Sequence, residues 1–170
     1  MTSIVSFDQD SDTQKYIAFP VADRSLALPL RSVLRVLRHE PDNHDEALNT
    51  LGLLQIGRHT IRVLNLHQWL TPTFAPQDAA PAPFLIVARS AEWEPFGVWA
   101  DGLPDLVELP PDMLRSLPSS ARAASGFLDL ISHTAVIPQT DGSSQTLLLL
   151  DIPKVLKARA PEMAALPSQV

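Results

Sequence analysis

Apolar residues in this chain come in short runs that alternate with polar residues and end at proline, glycine, aspartate or asparagine. Alternation of this kind is typical of half-buried β-strands, because successive side chains point to opposite faces of a sheet. The pattern predicts strands at 15–21, 26–30, 51–56, 60–64, 84–89, 96–100, 106–109, 126–131, 134–137 and 146–152. Polar turns at 22–25, 57–59 and 141–142 are placed to close hairpins. The sequence therefore predicts an all-β protein.

Only short helices are expected between these strands. The chain has 16 prolines spread along its length, which disfavours long helices. Ser32 could cap a helical turn over 33–37, and Asn65 could cap a short helix through 66–70. A further helical turn is expected at 110–117, and Pro153 is placed to begin a last helix at 154–160.

Two segments lack the strand pattern, and the second of them is the expected border between two halves of the chain. Residues 39–49 form a polar stretch that predicts a loop, and residues 71–83, rich in proline and alanine, predict a stiff linker. Both halves show the same style of short strands. The pattern alone therefore favours two small barrels packed against each other, with frayed tails at 1–14 and 161–170.

Composition narrows the class of protein. Of the 170 residues, 45% are hydrophobic and 19% charged, which suits one sizeable domain or two joined subdomains. The absence of cysteine excludes disulfides, thiolate catalysis and cysteine-based metal centres. A net charge of −6 makes nucleic acid a poor partner. The N-terminal residues lack the pattern of a signal peptide, and no apolar run could span a bilayer, so we expect a cytoplasmic chain without membrane insertion.

No catalytic or cofactor motif stands out. His39 and His44 lie among Glu40, Asp42 and Asp45, but their spacing matches no helical zinc pattern and a proline interrupts the segment. We expect a solvated acidic loop that binds no metal. The sequence contains no G-x-S-x-G elbow, P-loop or G-x-G-x-x-G, so neither an enzyme nor a bound cofactor is expected.

Four blocks along the chain resemble one family of signalling adaptors. Residues 27–30 read ALPL and residues 33–37 read VLRVL, where the CheW-like family has an A-L-P-like segment and V-x-E-V-L. Residues 52–66 have the length of its G-x-x-N-x-R-G-x-x-x-P-V-x-D-L block, with Gly52, Val63 and Leu66 fitting directly. Residues 95–118 and 146–156 resemble its two later blocks. The four blocks occur in the order and at the spacing typical of the family, and the resemblance covers residues 16–156.

The resemblance implies a fold, partners and a location. The fold would be one CheW-like domain over 15–160, made of two packed five-stranded β-barrel subdomains with short helices, one near the C-terminus. Subdomain 1 would span about 15–73 plus a C-terminal segment, and subdomain 2 about 83–150. The resemblance implies no enzymatic activity and two partners: the regulatory domain of a CheA-type histidine kinase and the cytoplasmic tip of a chemoreceptor. It places the chain at membrane-associated receptor arrays.

The resemblance also implies two partner-binding surfaces. A receptor-side groove would use Val33, Arg35, Val36, Gly57 and Arg58, and a kinase side would use Val98 and Asp101. The chain departs from the family within the groove, because Arg35 replaces the usual acidic residue and Gly57 the usual arginine. We therefore expect weakened binding of an ordinary receptor tip and a preference for an acidic partner.

Two other hypotheses stay open at this point. A divergent adaptor of a type IV pilus or twitching pathway would explain the altered motif positions. A protein of another class, a β-barrel that binds a small ligand or an oligosaccharide, would use Trp69, Trp93 and Trp99 as stacking residues. In either case Val63 and Leu66 are expected to face the core.

Overall fold

The computed structural model of the protein describes residues 13–38, 52–70, 84–124 and 126–158. The predicted loop at 39–49, the predicted linker at 71–83 and the tail at 161–170 lie outside these residues. So do His39 and His44.

Eleven strands make up most of the described chain. They are β1 (Gln14–Val21), β2 (Arg24–Pro29), β3 (Val33–Arg38), β4 (Leu53–Ile56), β5 (His59–Leu64), β6 (Phe84–Arg89), β7 (Pro95–Ala100), β8 (Asp105–Leu109), β9 (Arg115–Ser116), β10 (Ile131–Pro138) and β11 (Ser144–Leu150). The short helices are α1 (His67–Leu70), α2 (Ser119–Ala124) and α3 (Ile152–Lys157). Single 3₁₀ turns occur at Leu30–Ser32, Pro111–Met113 and Leu128–Leu130.

Within the described residues the strands form two sheets. A six-stranded sheet has the order β8-β1-β2-β11-β10-β9, and a five-stranded sheet has the order β3-β6-β7-β5-β4. Most neighbours are antiparallel, but β11 pairs with β2 and β5 pairs with β7 in parallel. The prediction of an all-β fold with short helices is confirmed.

The strands of the two sheets come from different parts of the chain. Residues 33–100 supply every strand of the five-stranded sheet, whereas strands within 14–29 and 105–150 build the six-stranded one. The expected border at 71–83 does not separate the sheets, because β3 pairs with β6 and β5 with β7 across it. The parallel pairs require such long connections, since a hairpin joins only antiparallel neighbours.

Apolar side chains are buried on both faces of each sheet. The largest cluster lies between the sheets and combines Phe19 and Leu26 of one with Ile86 and Phe96 of the other. A second cluster around Leu147 packs on the opposite face of the six-stranded sheet. A third cluster packs on the opposite face of the five-stranded sheet and contains Leu54, Ile61, Val63, Leu85 and Val87. Both faces of these sheets therefore contribute hydrophobic stabilisation.

Two sequence predictions of local structure were wrong. The predicted helical turn at 33–37 is strand β3, which pairs with β6 along its length. The predicted strand at 126–131 is instead a turn followed by the 3₁₀ turn Leu128–Leu130. There Phe127 and Leu130 are both buried and Asp129 is exposed, because residues three apart share one face of a 3₁₀ turn. Strand β10 then begins at Ile131.

Other local predictions were confirmed. The Asn65 side-chain oxygen accepts a hydrogen bond from the His67 backbone N–H at 3.1 Å, at the start of α1. Val63 and Leu66 are 6% and 1% exposed, as expected for core residues. The hairpin predicted at Asp141 joins β10 to β11.

Candidate functional site: a groove at one end of the five-stranded sheet

A groove of about 760 Å³ opens at one end of the five-stranded sheet. Its lining residues come from the start of β3, from the β4–β5 hairpin, from the second half of β6 and from the first residue of β7. They are Leu34, Arg35, Ile56, Gly57, Arg58, His59, Ile61, Val87 and Pro95. The groove is lined by both edges of the sheet, β3 and the β4–β5 hairpin, together with β6 and β7 between them.

Two backbone irregularities shape the groove. The β3–β6 register shifts between Val33 and Arg35, which marks a β-bulge at Leu34. Bulges redirect side chains, and Leu34 and Arg35 both line the groove. On the other side, Gly57 adopts φ +61° in the two-residue β4–β5 turn, a left-handed conformation that glycine adopts without strain.

The groove combines an apolar interior with cationic edges. Ile61 and Val87 are buried, while Leu34 is 53% exposed. Arg35 and Arg58 are exposed, and within the described residues neither guanidinium forms an ion pair. An apolar patch with a charged border is a common composition for a protein-binding surface. This border would favour a partner that carries carboxylates beside an apolar side chain.

The structure brings together three of the five residues predicted for the receptor-side groove: Arg35, Gly57 and Arg58. The other two do not line it. Val33 packs against the core between the sheets, and Val36 is 39% exposed on β3. The roles of all five in partner binding stay predictions.

The two residues predicted for the kinase side differ in exposure. Val98 is fully buried in the core between the sheets, so its side chain presents no surface to a partner. Asp101 follows β7 and reaches solvent. Its carboxylate accepts a hydrogen bond from the Ala22 backbone N–H at 2.6 Å and lies 2.8 Å from His67 Nε2. Asp101 therefore connects the β1–β2 turn, α1 and the end of β7.

Several apolar side chains are exposed, and of these the sequence singled out only Trp93, as a stacking residue for a ligand. Leu103 is 74% exposed, Trp93 72%, Val136 54% and Leu106 50%. The signal for Trp93 was present, because it lies between Glu92 and Glu94 in a polar turn. Isolated exposed leucines carry no such signal, since surfaces normally contain some apolar residues.

The three tryptophans do not form one stacking platform. Trp69 packs against the core between the sheets, Trp99 packs against the cluster that contains Leu54, and Trp93 lies in the β6–β7 turn. The groove lining contains none of them. The arrangement therefore gives the ligand-binding hypothesis no support from tryptophan stacking.

The part of the chain that the structure describes contains neither a group of metal-binding side chains nor a membrane-spanning helix. In that part, no group of three or more histidine, aspartate or glutamate side chains is placed to hold a metal ion. The helices among these same residues are all too short or too polar to cross a membrane.

Comparisons with known proteins concern nearly the whole chain. A family model described as a CheW-like domain matches residues 15–160. The comparison with curated proteins gave no match. Among solved structures, the fold is similar to the scaffolding protein TtCheW from Thermoanaerobacter tengcongensis, with a TM-score of 0.60 and 13% sequence identity. That match covers 88% of this chain and 92% of TtCheW, and at this identity it bears on the fold alone.

Proposed function

The chain belongs to the CheW-like domain family, and on this basis we propose that it is a non-catalytic adaptor that couples a CheA-type histidine kinase to chemoreceptors. The observation that carries the proposal is the groove. It unites Arg35 with Gly57 and Arg58, in the two segments where the family resemblance implies receptor contact. We propose that the adaptor acts in the cytoplasm, at membrane-associated receptor arrays.

The receptor-side proposal depends on the charge of the groove. Arg35 replaces the acidic residue of the family motif, and a like charge facing it in a partner would cost binding energy. We therefore propose that the groove binds an ordinary receptor tip weakly and prefers a partner whose apolar side chains are flanked by carboxylates. The second cation, Arg58, strengthens this preference because it lines the same groove.

The variant Arg35→Glu tests the receptor side. It should tighten binding of an ordinary receptor tip by about tenfold, since one reversed contact is worth about 1.4 kcal/mol or more. The variant Gly57→Arg is less suitable, because an arginine at φ +61° costs about 1–2 kcal/mol of backbone strain. Arg115→Glu makes the same charge change at an exposed position on β9 and serves as the control. If the wild-type chain already binds the ordinary tip as tightly as Arg35→Glu, the charge argument fails.

Because Val98 is buried, we propose that the kinase binds the exposed surface beside Asp101. Leu103 lies two residues beyond Asp101 and is 74% exposed. The hydrogen bonds of Asp101 fix the end of β7 against the β1–β2 turn, which would present Leu103 from an ordered base. We propose that the kinase regulatory domain packs on Leu103.

The variant Leu103→Glu should weaken binding of the kinase domain at least about tenfold, as expected for a buried apolar contact. Val136→Glu places the same charge at a comparably exposed position on β10 and is the matched control. Equal dissociation constants for the two variants would place the kinase contact elsewhere.

Two alternative functions make different predictions. An adaptor of a pilus or twitching pathway would use the same surfaces with a different kinase and receptor, so the partners encoded beside the gene distinguish it. A small-ligand protein could use the groove, whose volume of about 760 Å³ lies in the range of ligand pockets. Titration with sugars and nucleotides, followed by tryptophan fluorescence, tests that alternative.

A further inference from the structure

The β6–β7 turn presents a tryptophan to solvent. Trp93 is 72% exposed, an unusual position for the largest aromatic side chain. It lies between Glu92 and Glu94, which are also exposed. Within the described residues neither glutamate forms an ion pair. We call residues 92–94 the acidic tip.

The acidic tip is held in one conformation. The Ser90 hydroxyl oxygen, which is buried, accepts hydrogen bonds from the backbone N–H groups of Glu92 and Glu94 at 3.2 and 3.1 Å. The backbone N–H of Trp93 donates a hydrogen bond to the Ser90 carbonyl at 3.0 Å, and Trp93 adopts φ +67°. The Arg89 guanidinium stacks 3.5 Å from the centre of the indole ring. A side chain ordered before binding loses less entropy when it binds, so the tip is suited to a protein contact.

The groove is complementary to the acidic tip in charge, polarity and size. The tip carries two carboxylates around an indole, and the groove carries two guanidiniums, Arg35 and Arg58, around an apolar interior. None of these four charged groups forms an ion pair with another residue that the structure describes. Pockets of 300–1,000 Å³ hold ligands larger than an indole, so about 760 Å³ leaves room for Trp93. The cation Arg89 stays at the base of the tip, where it also donates to the Arg31 carbonyl at 3.4 Å.

From this complementarity we infer that two copies of the chain dimerise, with the acidic tip of each seated in the groove of the other. Tip and groove lie side by side, because Pro95 lines the groove and directly follows Glu94. A two-fold axis can therefore pair both tips with both grooves, as in a self-complementary interface. The inference does not depend on the proposed adaptor function. If the groove also binds a receptor tip, the two occupants exclude each other.

Charge-reversed variants of the full chain test the dimer. Sedimentation equilibrium of the wild type should show a reversible monomer–dimer equilibrium. A tip-reversed variant, Glu92→Lys/Glu94→Lys, and a groove-reversed variant, Arg35→Glu/Arg58→Glu, should each weaken dimerisation at least about tenfold. An equimolar mixture of the two variants should restore the dimer. At one contact the tip lysines of one variant then face the groove glutamates of the other, and at the second contact the original glutamates face the original arginines.

Controls separate this contact from general charge effects. The net charge of −6 makes two copies repel at long range, so adding positive charge anywhere could favour association. Glu108→Lys/Asp112→Lys makes the same charge change at exposed positions outside the tip and should leave the dimer intact. Trp93→Ala should weaken dimerisation at least about tenfold without changing net charge. A monomeric wild type, or a mixture of the reversed variants that stays monomeric while both remain folded, would overturn the inference.

Discussion

Replacing Leu66 by alanine tests the packing that joins α1 to the core. Leu66 is 1% exposed and belongs to the cluster between the two sheets. Its carbonyl accepts hydrogen bonds from the N–H groups of Trp69 and Leu70, which form α1. A helix of four residues is not stable alone, so α1 depends on this packing.

The expected cost follows from the buried side chain. Removing three buried carbons forfeits about 0.8 kcal/mol for each, and the cavity left behind raises the total for Leu→Ala to about 2–5 kcal/mol. We expect Leu66→Ala to lower the free energy of unfolding by about 3 kcal/mol. In a chain of this size, 1 kcal/mol shifts the melting temperature by about 2–4 °C, so a decrease of about 6–12 °C is expected.

Urea denaturation followed by circular dichroism measures this cost, with an unchanged slope m showing that the unfolding transition is comparable. Leu103→Ala is the matched control, because Leu103 is 74% exposed and its truncation should change stability by less than about 0.5 kcal/mol. Val63→Ala, in the cluster on the far face of the five-stranded sheet, should cost about 1–3 kcal/mol. If Leu66→Ala costs no more than Leu103→Ala, the assignment of Leu66 to the core is refuted.

Three further predictions concern turns and caps. Ala22 adopts φ +53°, so Ala22→Gly should raise the free energy of unfolding by up to about 1 kcal/mol in thermal denaturation. The Asp151 carboxylate accepts from the Lys154 N–H at the start of α3, and Asp151→Ala should cost about 0.5–2 kcal/mol, with Asp151→Asn restoring most of it. Hydrogen bonds from the Ser143 hydroxyl and backbone N–H lower the pKa of Asp141. The stabilisation of the folded protein by these hydrogen bonds is therefore present at neutral pH and is lost as pH falls through that lowered pKa. An NMR titration should therefore find the pKa of Asp141 below that of an ordinary aspartate, and higher in Ser143→Ala than in the wild type.

Hairpins were the part of the fold that the sequence predicted best. The turns at Ala22 and Gly57 and the hairpin closed at Asp141 depend on residues within a few positions of each other, so local pattern is sufficient. The start of α1 was predicted for the same reason, because the Asn65 cap acts within two residues.

Strand β3 was misread because its local pattern is ambiguous. Val33, Val36 and Leu37 have helical spacing, and valine is also common in strands. Its pairing with β6, whose residues come about 50 positions later, decides the outcome. The parallel β5–β7 and β2–β11 pairs also join distant segments, so a local pattern does not predict them.

The candidate site was predicted in part. The family resemblance directed attention to Arg35, Gly57 and Arg58, which the structure places on one groove. It gave no measure of burial, so Val98 was named as a contact although it lies in the core. The exposure of Trp93 and Leu103 depends on how the turns fold, and a sequence pattern does not report it.

Reconstitution of kinase regulation tests the adaptor function most directly. The CheA-type kinase and the receptors encoded nearest to this chain's gene would be combined in membranes, and autophosphorylation of the kinase measured with and without the chain. We expect the receptors to control the kinase only when the chain is present, and we expect Leu103→Glu to abolish this control while Val136→Glu does not. Kinase activity that responds to the receptors equally well without the chain would contradict the adaptor function.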